Sequence, residues 1–191
     1  MEPHTEPVPR GKTNKNLVRV LAVIVLTVAV IVIAWLLLGR SDNDSAVPVT
    51  TATPVAPEII SADALSASAA DTGHVVDWAG PIVDTKLEFS QTADGRVYVR
   101  YLPAGVKAGD PSTDFLVVAT YPFAGAYNVL KKVANGEEVK ILDGGIAAVS
   151  SGQAQSVHFA FPGTAYQGEV YDPSAKRAFE VATSGAIQPV P

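Results

Sequence analysis

Hydrophobic and polar positions divide the chain into three stretches of different character. From Val20 to Leu38, nineteen residues run without a charge, with Thr27 as the one hydroxyl and Arg19 and Arg40 at the borders. At about 1.5 Å rise per residue such a helix reaches roughly 28 Å, which matches a hydrocarbon core of roughly 30 Å. The pattern predicts a transmembrane helix over residues 20–38. Its many β-branched residues do no harm in lipid, where every backbone N–H must find its partner inside the helix. The competing reading is a cleaved signal peptide. Against it, the run exceeds the roughly 7–15 residues of an ordinary h-region, and no small-x-small cleavage signature follows Leu38.

The flanks orient the span. Residues 1–19 carry Arg10, Lys12, Lys15 and Arg19 against Glu2 and Glu6, whereas Asp42 and Asp44 follow Arg40. The positive-inside rule therefore predicts a single-pass signal-anchor in the cytoplasmic membrane, with the N-terminus cytoplasmic and the C-terminal domain outside. Trp35 sits where an interfacial anchor belongs. Residues 1–19 form the expected cytoplasmic tail, and within it residues 1–16, with Pro3, Pro7 and Pro9 among polar neighbours, read as disordered. Residues 39–57, rich in Ser, Thr, Pro and Ala, read as a linker.

Alternation and helical spacing then predict one α+β domain over residues 58–191, a mainly antiparallel sheet with about three helices. Ser61 as N-cap, Asp63 in the first turn and Gly73 beyond the end bound a helix over 61–71, and a short segment follows at Val75–Trp78. Thr85–Gln91 and Arg96–Leu102 flank Ala93-Asp94-Gly95 and form a hairpin. With Gly95 left-handed at the end of a three-residue loop, Leu87 and Phe89 align with Tyr101 and Val99, and Glu88 faces Arg100. Pro103–Asp114 reads as a long loop and Phe115–Tyr121 as a central strand. Pro122 is expected to open a helix with Phe123, Ala126, Tyr127 and Leu130 on its apolar stripe and Gly136 at its close. Strands are expected near 139–142, 146–150, 155–161 and 166–171. A last helix follows, capped by Asp172-Pro173, with Ala175, Ala178, Phe179 and Ala182 inward. No repeat of fixed period is visible in the sequence.

Charge narrows the partners. Beyond Arg40 the chain carries nine basic against seventeen acidic residues, a net of −8. Nucleic acid and anionic membrane surfaces need a basic footprint, so neither is expected as a partner of this domain. Cysteine is absent, which removes a lipoprotein anchor, disulfides and sulfur-based metal sites.

Candidate chemistry is sparse. The sequence holds no GxSxG, P-loop, GxGxxG, HExxH or EF-hand spacing, and no catalytic residue, metal or cofactor is expected. His74 stands beside a helix-ending glycine and reads as a capping or surface residue. His158 alternates with Val157 and Phe159 and reads as a half-exposed sheet histidine. Asp110 and Asp114 flank the long loop, either as turn caps or as oxygen ligands for a hard cation. Arg96, Tyr98 and Arg100 share one strand face that suits an anionic group or a sugar ring by charge and stacking. The plainer reading of that face is an outward one with Arg100 paired to Glu88. Trp78, beside Gly80, reads as core or as a carbohydrate platform. Asn43-Asp44-Ser45 matches a glycosylation sequon and matters only in a eukaryotic secretory pathway.

Taken together, Gly73-His74, Trp78-Ala79-Gly80, the block from Asp94 to Pro103 and the run from Phe115 to Pro122 resemble single-pass membrane proteins of actinobacteria that carry one small extracytoplasmic domain. The similarity covers roughly residues 60–190. No activity is assigned to that family, so the resemblance implies a setting, the bacterial cell envelope, and no reaction. The expected function is a membrane-anchored binding or interaction module, its partners being the bilayer through residues 20–38 and another envelope protein or cell-wall component. The rivals are a carboxylate-dependent envelope hydrolase using Asp110 or Asp114 and a structural accessory subunit of a membrane complex.

Overall fold

The computed structural model describes residues 52–150 and 152–191. The expected membrane span, the tail before it and most of the linker lie outside the described residues. Within them, no helix is long and apolar enough to cross a membrane.

Eight strands form one antiparallel sheet in the order β1-β3-β4-β5-β9-β8-β7-β6. They are β1 (Val55–Ile60), β3 (Thr85–Gln91), β4 (Val97–Pro103), β5 (Leu116–Pro122), β6 (Val139–Lys140), β7 (Ile146–Ser150), β8 (Gln153–Ala160) and β9 (Tyr166–Tyr171). A separate pair joins β2 (Asp77–Trp78) to β10 (Gln188–Pro189). Three helices complete the fold: α1 (Ala62–Asp71), α2 (Ala126–Ala134) and α3 (Ala175–Thr183). The α+β class and the antiparallel sheet match the expectation from the sequence.

The hairpin β3–β4 has the anticipated register, Leu87 opposite Tyr101, Glu88 opposite Arg100 and Phe89 opposite Val99. Its turn closes as a three-residue loop: the amide of Thr92 donates to the carbonyl of Arg96 at 2.9 Å, and Gly95 takes φ +77°. That left-handed conformation suits glycine, which has no β-carbon to clash.

Side chains alternate across the sheet, and each face has its own cover. On one face Leu87, Phe89, Val97, Val99, Val118, Val157, Phe159 and Val170 form the main core with Leu65 and Ala69 of α1, Ala178 and Ala182 of α3, and Trp78. On the other face α2 sets Ala126 and Leu130 against Ile146, Ala148 and Ala160 of β7 and β8. The loop between β4 and β5 folds over β3 and β4 on this second face, where the backbone carbonyls of Asp110 and Ser112 accept from Arg100.

The strand order reads as two successive sets, β1-β3-β4-β5 and β6-β7-β8-β9, meeting at the antiparallel β5–β9 pair. Helix α2 begins four residues after the end of β5, and α3 four residues after the end of β9. This repetition of connectivity is invisible in the sequence because the two sets share no residue pattern.

Several expectations are corrected. Pro122 does not open a helix; it is the last residue of β5, opposite Tyr166, and α2 starts at Ala126 behind Gly125 at φ +76°. The N-cap of α3 is Ser174, whose hydroxyl accepts from the amide of Arg177, while Asp172 supports the turn by accepting from the amide of Ser174. Phe179 lies outside the α3 stripe, 38% exposed. Strand β1 starts at Val55, inside the expected linker, and the C-terminal tail contributes β10.

Candidate functional site

The strongest concentration of polar groups inside the fold lies on the sheet face that carries α2. Register places one row across it, Ser90, Tyr98, Ala119, Glu169, His158 and Ala148, on six adjacent strands. The next row runs Glu88, Arg100, Val117, Tyr171 and Ser156. Helix α2 covers the β7–β8 end of these rows and the β4–β5 loop covers the β3–β4 end. Between them, along β5, Tyr98, Val117, Tyr121 and Tyr171 are half-buried around the small side chain of Ala119.

Two carboxylates are buried on this face and are treated differently. Glu88 Oε1 meets Arg100 Nη1 at 2.7 Å, and its Oε2 accepts from the amide of Gly109 at 2.6 Å. Arg100 also donates to the carbonyls of Asp110 at 2.9 Å and Ser112 at 3.0 Å, and its guanidinium lies 5.1 Å from the ring centre of Phe115. Glu169 instead accepts two neutral hydroxyls, Tyr121 Oη on Oε2 and Ser156 Oγ on Oε1, each at 2.5 Å. Burial and the nearby Glu169 charge push the Tyr121 phenol well above its ordinary range. Tyr98 meets Tyr121 edge-on with ring centres 6.1 Å apart, and burial raises its phenol too. Arg96 lies over the Tyr121 ring at 5.9 Å, its Nε held by Asp94 at 2.7 Å.

His158 is 8% exposed, a correction to the half-exposed sheet histidine the alternation suggests. Its strand face is not open to solvent because α2 packs on that side. As placed, the amide of Gln167 donates to Nδ1 at 2.9 Å, which puts the ring proton on Nε2. Burial lowers its pKa, while the charge of Glu169 opposes that shift.

Of the residues singled out from sequence, Arg96 and Tyr98 come together beside Tyr121. Arg100 shares their face, but its donors are engaged in holding the loop. Trp78 lies on the opposite face, in the main core. His74 bridges two segments, with Nδ1 2.8 Å from the carbonyl of Val75 and Nε2 3.1 Å from that of Gly95, and its ring stacks on Tyr166. Asp110 and Asp114 serve their own loop: Asp110 accepts from the amide of Ser112, and Asp114 from its hydroxyl. Glu169, Tyr121 and Ser156 escape sequence reasoning because each falls at an alternating position that reads as a solvent face.

A concavity of about 350 Å³ runs between α2 and the β6 region, lined by Tyr127, Lys131, Glu138 and Lys140, and it contains none of the network around Glu169. Among the described residues no group of three or more His, Cys, Asp or Glu side chains is placed to hold a metal ion. No family model, no curated protein and no solved structure matches the chain.

Proposed function

We propose that this protein is a membrane-anchored binding module of the bacterial cell envelope, and that its outer domain engages a partner through the strip of sheet bearing Arg96, Tyr98 and Tyr121. The observation that carries this reading is the aromatic strip itself. Half-buried tyrosines and an arginine lie on a sheet face between the loop cover on one side and the helix cover on the other. Tyrosine and arginine are the residue types that supply large contact area and polar ends at binding surfaces. The apolar span and its basic flank support the anchor, and the resemblance to actinobacterial membrane proteins supports the setting.

The test is thermal unfolding of the full-length chain in detergent, with and without solubilised envelope fractions. A ligand that binds only the native state raises the transition by mass action. One fraction is expected to raise the Tm of the wild type and to leave the Arg96→Ala, Tyr98→Ala double variant unmoved. An equal shift in both proteins rejects this strip as the site.

A further inference from the structure

The next step rests on the reading of this strip as a binding surface and names the chemistry it selects. We propose that the strip binds an organic cation, an alkylammonium or guanidinium group, held against Tyr98 and Tyr121 and drawn by the carboxylate of Glu169.

The argument starts from the mismatch between two carboxylates on one face. Glu88 and Glu169 are 1% and 5% exposed. A buried carboxylate is stable when it is paired or fully hydrogen-bonded. Glu88 has Arg100 at 2.7 Å. Among the described residues no basic side chain forms an ion pair with Glu169. Its partners, the hydroxyls of Tyr121 and Ser156, are neutral. Each occupies one lone-pair direction on a different oxygen, so they fix the carboxylate and leave its charge uncancelled. The neighbouring imidazole of His158 does not cancel it either, since its Nδ1 accepts a hydrogen bond and its burial favours the neutral ring.

The aromatic rim points the same way. The face of a tyrosine ring attracts cations. Arg96 shows the attraction within the molecule, with its guanidinium 5.9 Å over Tyr121 while its charge is matched by Asp94. Ala119 lies between Tyr98 and Glu169 in the same row and is itself buried, so a ligand would meet the tyrosine rings while the carboxylate acts on it through its field. The long-range field agrees, because the chain beyond Arg40 carries a net charge of −8.

The same cationic group occurs on free amines and on the lysine and arginine side chains of proteins, and the probes separate these sources. Choline is titrated into the full-length chain in a maltoside detergent against its neutral isostere 3,3-dimethyl-1-butanol, and acetyl-arginine amide against acetyl-citrulline amide. Tyrosine ring NMR signals are followed. At least one charged probe is expected to bind tenfold or more tighter than its neutral partner, and Glu169→Gln to abolish that preference. Selective binding of choline assigns the site to free amines; selective binding of the arginine amide assigns it to a protein side chain. Equal affinity for charged and neutral probes, unchanged affinity in Glu169→Gln, or no saturation by any charged probe at millimolar concentration overturns the proposal. Should Glu169→Gln fail to fold, Tyr98→Leu decides, with a several-fold loss expected and unchanged affinity counting against the site. An envelope fraction that still stabilises Glu169→Gln, with no amine bound by the wild type, refutes the cation and leaves the binding module standing.

Discussion

Phe159 lies directly across β8–β9 from Gly168, and its ring occupies the space that a side chain at 168 would need. A β-carbon built on Gly168 would fall 1.9 Å from Phe159 Cζ, far inside van der Waals contact. The ring thus lies flat on bare backbone at the centre of the core, where Phe159 is fully buried. Overpacking a well-filled core costs about 1–3 kcal/mol, and a clash with a rigid ring belongs at the upper end of that range. Gly168→Ala is therefore expected to lower Tm by several degrees or more, and Phe159→Leu introduced beside it to recover part of the loss. Thermal unfolding of the single and double variants checks this; a Gly168→Ala protein as stable as the wild type would show that the ring has room to move.

The two arginines of β4 and its turn differ in what their loss should do. Arg100 is 16% exposed and tied to a fully buried Glu88, whereas Arg96 and Asp94 are 27% and 49% exposed. Removing one partner of a buried pair leaves an uncompensated charge and costs about 3–5 kcal/mol. Exposed pairs contribute about 0–1 kcal/mol. Arg100→Met is expected to destabilise strongly in urea titrations and to loosen the 104–114 loop, with Arg96→Ala nearly silent. Similar midpoints for the two variants would contradict the division between a structural and a surface arginine.

The Glu88–Arg100 contrast also shows how far the sequence reaches. The pairing is legible because alternation of Leu87, Phe89, Val99 and Tyr101, together with the Asp94-Gly95 turn, admits one register that gathers the apolar side chains. The burial of that pair is not legible. It depends on a loop of Lys107, Gly109, Asp110 and Ser112 that carries little apolar character and is held down by hydrogen bonds to the pair itself. His158 is misjudged for a related reason: the stripe of α2 announces a helix packed on the sheet but not on which face. Strand β1 contains Pro57 at a register shift and shows four exposed residues, so it lacks the alternation that marks a strand. The Glu169 network is assembled from three strands, and no local pattern in any one of them encodes it.

Asp77 predicts a pH dependence of opposite sign to ordinary acid denaturation. It is 6% exposed, its amide donates to Thr120 Oγ1 at 3.0 Å, and burial raises its carboxyl from 3.8 to about 6. The folded state therefore holds this proton more tightly than the unfolded state. Its contribution to stability is full below about pH 3.8 and is lost as pH rises through about 6. At neutral pH the charged form costs about 3 kcal/mol relative to an unshifted group. Asp77→Asn is expected to be more stable than the wild type at pH 7, and the difference to vanish near pH 4. Urea unfolding of both proteins across this interval measures it; a constant difference, or a variant less stable at pH 7, would show that the carboxylate has a favourable partner.

His158 and Glu169 face each other across β8 and β9, so the state of one should report on the other. Burial holds the imidazole below its ordinary value of 6.5, and the carboxylate opposite raises it part of the way back. With the folded pKa depressed, the group's stabilising contribution is present above about pH 6.5 and fades as pH falls through the folded value. Removing the negative charge should remove the opposing influence. In Glu169→Gln the His158 ring signals are expected to titrate at a lower pH than in the wild type, and the stability contributed by the neutral ring to be lost over a wider interval of acid pH. NMR titration of the His158 ring resonances in the two proteins gives the comparison directly. An unchanged or higher midpoint for His158 in the variant would mean that Glu169 carries no charge in the native protein. The proposed attraction of a cation to that carboxylate would then lose its source.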